Sequence, residues 1–119
     1  MGIAHHSNYI VWFEVGRTDL CRDAGLTYRT IEDRGYILVV TEVACRYRTP
    51  FRYDDEVQIH TSIGQAGSRM MRFNYALHNA IGEVCATGET RHIWLDRTTR
   101  KPVLPPRELV DPFLAFLSP

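Results

Sequence analysis

Lysine is nearly missing from this chain: Lys101 is the only one among 14 basic residues, the rest being arginine. A guanidinium fork binds phosphate bidentately, so the excess suits a phosphorylated ligand, although a codon bias of the source genome would produce it too. Net charge is missing as well, since 14 acidic residues cancel the 14 basic ones. That balance argues against a nucleic-acid groove built on overall positive charge. Cysteines are few; Cys21, Cys45 and Cys85 are widely spaced and odd in number, with no C-x-x-C pair. Neither a zinc ribbon nor a disulfide framework is therefore expected. His60, His78 and His92 lie on separate segments without ligand spacing, so no metal site is expected either. No apolar run approaches the roughly 20 residues that span a bilayer. Residues 1–6 have neither the basic start nor the apolar stretch of a secretory signal. The expectation from these absences is a cytoplasmic protein with no membrane insertion, no nucleic-acid partner and no metal.

What is present has two periods. Over residues 8–24, Tyr9, Trp12, Phe13, Gly16, Leu20 and Ala24 recur at three- and four-residue spacing, which predicts a helix. Ser7 or Asn8 can cap its start and Gly25 can take the left-handed position at its end. Ile10, Val11 and Val15 widen the apolar surface, so this helix is expected to be buried on several sides. A short second helix is predicted over residues 27–34, closed by Gly35.

From Tyr36 the period becomes two. Ile37, Val39, Thr41, Val43, Cys45 and Tyr47 alternate until Thr49-Pro50, because proline cannot donate to a ladder. Val57, Ile59, Thr61 and Ile63 form a second alternating run, and Met71, Phe73, Tyr75 and Leu77 a third. A turn at residues 64–68 separates them. After the turn at residues 79–82, a fourth strand is predicted over residues 83–95, then a polar loop and a closing helix over residues 106–117. Short turns favour an antiparallel meander, and one apolar helix must cover a face of it. The chain reads as one α+β domain over residues 1–119, a helix wrapped by a curved antiparallel sheet in the hotdog manner.

The residues carry a resemblance along nearly the whole chain. Gly2-Ile3-Ala4-His5-His6-Ser7-Asn8-Tyr9, then Trp12-Phe13-Glu14 and Arg17, resemble the 4-hydroxybenzoyl-CoA thioesterase family. The similarity is strongest to its branch of short-chain acyl-CoA thioesterases associated with the Tol-Pal system. Cys45-Arg46-Tyr47 with Pro50, Tyr53-Asp54-Asp55, the run from Gly88 to Leu95, and Arg100-Lys101-Pro102 follow the same pattern in order. The family signature opens D-x-x-G, and its glycine matches Gly2, so its aspartate and the strand before it would fall upstream of Met1. A start assigned too far downstream, a truncation and a genuine loss all remain open as explanations.

The resemblance implies hydrolysis of an acyl-CoA thioester to a free acid and coenzyme A, with no cofactor besides the coenzyme A of the substrate. The carboxylate acts as nucleophile or as base toward water. Backbone N–H groups at the helix start, in the stretch His6-Ser7-Asn8-Tyr9, would hold the carbonyl oxygen, because the first N–H groups lack internal partners. His6 would orient or polarise the carbonyl, Gly2 and His5 would lie near the acyl group, and Tyr9 is more a wall than a catalyst. Glu14 could replace the missing carboxylate, but a bond to Arg17 or a neighbouring strand is the plainer expectation. Arg69, Arg72, Arg91 and Lys101 are candidates for the coenzyme A phosphates. The family's sites form between subunits, which implies a homodimer as minimal unit and a tetramer as assembly. An acyl-CoA-binding subunit without hydrolysis is the alternative. A hydroxyacyl dehydratase is disfavoured because no G-H-F-P motif is present.

Overall fold

The computed structural model describes residues 6–52, 54–67 and 69–118, with the backbone alone for His6 and Ser7. Gly2 and His5 lie outside the described residues, as does Tyr53. Helix α1 is His6–Asp23, and Gly25 ends it with φ 78°, the left-handed turn that glycine adopts without a Cβ penalty. Tyr9, Phe13, Gly16, Arg17 and Leu20 share its inner, buried face. The expectation of burial on several sides is corrected: Ile10, Val11 and Val15 remain 40%, 52% and 44% exposed on the opposite face. A single chain offers only one sheet, and one sheet can cover only one side of a helix. Helix α2, Tyr28–Asp33, is capped by Thr27, whose hydroxyl accepts from the Thr30 N–H at 3.1 Å, satisfying a donor that would otherwise be free.

Four strands follow: β1 Tyr36–Tyr47, β2 Gln58–Ala66, β3 Met70–His78 and β4 Val84–Asp96. They form one antiparallel sheet in the order β1-β4-β3-β2. Strand β2 runs through Gly64 to Ala66 with a register shift after Ile63, so the turn is shorter than the sequence indicates. The alternation on β1 is half corrected. Its register shifts between Val40 and Glu42, and an extra residue exchanges the two faces of a strand. Leu38, Val40, Val43, Cys45 and Tyr47 pair with Trp94, His92, Thr90, Gly88 and Ala86, all of them buried. Val39 thus faces away from the helix, while Val43, Cys45 and Tyr47 face toward it as the alternation indicates.

The single closing helix is also corrected. Two 3-10 turns, Arg107–Leu109 and Asp111–Phe116, take its place. Pro112 restricts the residue before it and has no N–H for a continuing ladder. Beyond them, Ser118 donates its N–H to the Ile63 carbonyl at 2.8 Å, and the Ser62 and Ser118 hydroxyls lie 2.6 Å apart. The C-terminal segment therefore seats on the outer edge of β2.

Candidate active site

The start of α1 packs into aromatic side chains. The Tyr9 ring lies 5.3 Å from Trp12, 4.8 Å from Tyr47 and 5.8 Å from Phe51, with Trp12 and Phe51 5.2 Å apart. Only 2% of Tyr9 is exposed, and burial pushes its phenol above the usual range. Buried among these rings, Tyr9 stays a neutral phenol near neutral pH. One turn on, Phe13 stacks on Tyr75 at 4.5 Å. A Cβ on Gly88 would come 2.4 Å from the Phe13 ring and 2.6 Å from the Ala44 carbonyl, so this part of β4 must stay bare for the helix to sit down.

Deeper in the sandwich lies a polar chain that no spacing in the sequence announces. Arg17 Nε donates to the Tyr28 hydroxyl at 2.6 Å and its Nη1 to the Tyr75 hydroxyl at 3.1 Å. Tyr75 in turn lies 2.6 Å from Thr90 Oγ1, which lies 2.8 Å from His92 Nε2. His92 Nδ1 is buried without a partner. Burial first, and the Arg17 charge second, push the His92 pKa down to about 3. Burial also pushes Tyr28 and Cys21 up to about 12, against the opposing pull of Arg17. The chain joins α1, α2, β3 and β4 through neutral groups around one guanidinium.

The candidate residues do not all come together. The backbone of His6 and Ser7 forms the first turn of α1, with Asn8 exposed beside it. Glu14 lies on the exposed outer face of α1. Its anticipated bond to Arg17 is replaced by the two tyrosine contacts, because Arg17 lies on the inner face. Arg91 sits on the outer face of the sheet, 3.0 Å from Glu89 and 3.5 Å from Glu42. Arg72 is its cross-strand neighbour and donates to the Gly64 carbonyl at 3.4 Å. Arg69 lines a cleft with Ile93, Trp94 and Pro102, and Lys101 is exposed next to it in sequence. Those two lie toward the far end of β4. Tyr9 packs at the level of Ala86, through Tyr47, and Ile93 is about 23 Å further along at some 3.3 Å per residue. Arg46, Arg48 and Arg52, which are not among the sequence-based candidates for the coenzyme A phosphates, are exposed in the segment against which the helix start packs. Their signal was proximity in sequence to Tyr47 and Phe51, and it needed the contacts of Tyr9 to acquire meaning. Among the described residues no group of three or more His, Cys, Asp or Glu could hold a metal ion.

A helix laid across a four-stranded antiparallel sheet, its first turn opening among aromatic rings at one end, is the subunit of a hotdog-fold protein. The chain belongs to the thioesterase-like superfamily, whose model matches residues 1–113. It is 34% identical over 103 residues to YneP of Bacillus subtilis, provisionally named an acyl-CoA thioesterase, covering 87% of this chain and 75% of that one. It is 24% identical over 112 residues to the acyl-CoA thioester hydrolase YbgC of Escherichia coli O157:H7, covering 94% and 84%. Among solved structures it is similar to a DHNA-CoA thioesterase from Staphylococcus aureus, with TM-score 0.81 and 32% identity over 87% of this chain and 70% of that one. A hypothetical protein from Thermus thermophilus matches with TM-score 0.88 and 30% identity over 98% and 88%.

Proposed function

We propose that this chain is the subunit of an acyl-CoA thioesterase that adds water to a thioester and releases a carboxylic acid and coenzyme A. The observation that supports it best is the 34% identity to an acyl-CoA thioesterase-like relative along 87% of the chain. The start of α1 is suited to the chemistry. Its first N–H groups, around His6 to Tyr9, have no partner inside the helix and sit at the positive end of its dipole. Water adds to the carbonyl carbon with loss of one proton and charge moves to the oxygen, where those donors stabilise it; the C–S bond then breaks and the thiolate takes up that proton, giving the acid and coenzyme A. His6 polarises the carbonyl, and Tyr9, Trp12, Tyr47 and Phe51 exclude water around it. Coenzyme A phosphates meet arginines at the mouth.

Assembly completes the site. Among the described residues strand β1 is an edge, bonded to β4 alone, and its inner face carries Val40, Val43 and Tyr47 at 44%, 46% and 48% exposure. A long edge with apolar neighbours invites a second copy. Antiparallel pairing of two β1 strands about a two-fold axis brings the partner's far end of β4 to the end where this chain's α1 begins. Arg69 and Lys101 then serve the neighbouring site, and Arg46, Arg48 and Arg52 serve their own.

Thiol release from a panel of short aliphatic and aromatic acyl-CoAs tests the reading. Turnover that falls about 100-fold in His6→Ala and stays within about twofold in Glu14→Gln is the expected result. A second reading, acyl-CoA binding without hydrolysis, is favoured by the exposure of Glu14, which lies on the outer face of α1 and not on the inner face that carries Tyr9. Binding of every acyl-CoA with turnover of none would establish that second reading and overturn the first.

A further inference from the structure

Arg17 is 9% exposed, yet it makes no ion pair among the described residues. Its two partners are phenols. Burial holds Tyr28 at about 12 and raises Tyr75, so both remain hydroxyls at neutral pH. The other titratable groups in the network are neutral too, with Cys21 at about 12 and His92 at about 3. An arginine does not shed its proton. Among the described residues the network therefore holds one full positive charge and no carboxylate bonded to it, a state that an anion reaching the guanidinium would relieve.

An approach exists. Arg17 and Tyr28 line a cleft of about 290 Å³ between α1, α2 and β1, with Ile31, Ile37 and Leu38 as apolar walls, Glu32 exposed at its rim, and Val40, on the face that the dimer proposed above would cover, at its border. A single guanidinium flanked by a phenol matches one carboxylate, through charge-assisted bonds. The aliphatic walls match a short hydrocarbon or aryl group. The rim carboxylate opposes phosphates and other multiply charged anions, so this is not a place for coenzyme A.

We propose that the cleft over Arg17 is a binding site for a small apolar monocarboxylate, in the first instance the acid that thioester hydrolysis releases. Only that source rests on the thioesterase reading; the site is defined by the lone buried charge and the walls above it. The same carboxylate chemistry at the far end of a longer acyl group would occupy it equally.

Calorimetric titration of the intact protein with benzoate, butyrate and inorganic phosphate tests this without requiring turnover. Benzoate and butyrate should bind, and phosphate should bind more weakly than either. Arg17→Met should weaken benzoate by about tenfold or more, with Arg17→Lys intermediate, as expected for loss of a charged hydrogen bond. Glu32→Ala, an exposed change that leaves the core alone, should strengthen benzoate by about threefold through relief of like-charge repulsion. That arm stands even where an Arg17 variant fails to fold. No benzoate binding to the wild type, equal binding in a folded Arg17→Met, tighter phosphate than benzoate, or unchanged affinity in Glu32→Ala would each overturn the proposal. An inactive protein that still binds benzoate in this pattern would refute the thioesterase reading and keep the site.

Discussion

At Gly16 the absence of a side chain sets how closely α1 approaches the sheet. A Cβ there would come 2.2 Å from Thr61 Oγ1 and 2.7 Å from Ile59 Cγ2. Gly16→Ala must push the helix away from β2 or force both side chains off their rotamers, at about 1–3 kcal/mol. Urea unfolding should show that loss, in spite of alanine's better helix propensity, while a glycine placed only by chance would gain stability on the same change. The helical period put Gly16 on the inner face, so this much was legible in the sequence. Glu14 was not: the period could not say which side of a helix apolar on both sides would meet the sheet. Ile10, Val11 and Val15 are as apolar as Phe13 and Leu20, and only the position of β2 and β3 separates them.

The elements are tied together by the polar chain from Arg17 to His92, which spans both helices and two central strands. Its pH behaviour follows from a histidine held neutral at a folded pKa of about 3, against an ordinary value of 6.5. Between those values the unfolded chain takes up a proton that the folded chain refuses, so stability rises with pH and is lost as pH falls through the window. For one such group the slope is about 1.4 kcal/mol per pH unit. Denaturant unfolding of wild type and His92→Gln from pH 6.5 down to pH 4 should diverge in slope by roughly that amount, the variant being flatter. Parallel lines would mean that His92 is already free to protonate in the fold. At this scale the four strands were legible through their period of two. The register shift on β1 was not, because a bulge after Val40 adds a residue without altering the alternation on either side of it.

For the whole molecule, the exposed inner face of β1 and the outer face of α1 are apolar surfaces that one chain leaves open. Val43→Lys places a charge on the inner face of the edge strand, in a position already 46% exposed, so it should leave the single subunit folded. In the dimer proposed above it would bury an unpaired charge, which is strongly unfavourable. Sedimentation velocity should show wild-type dimer or larger and a Val43→Lys monomer, with thiol release from acyl-CoA lost alongside the dimer. A variant that stays dimeric and active would remove β1 from the interface.

The sequence alone determined the order of helix and strands, the buried face of β3, the left-handed glycine after α1, and the family. Those follow from local sterics and from hydrophobic period, which each segment carries within itself. Only the tertiary structure decided that Arg17 turns inward to two tyrosines while Glu14 turns outward. It alone set the far ends of the sheet at which Arg69 and the helix start lie, and left the buried Arg17 charge on two phenols with no ion-pair partner among the described residues. The physical reason is that these depend on which surfaces meet. A residue's own spacing says what kind of surface it belongs to, while its partner across the core, often more than 50 residues away as Tyr75 is from Arg17, decides what that surface does.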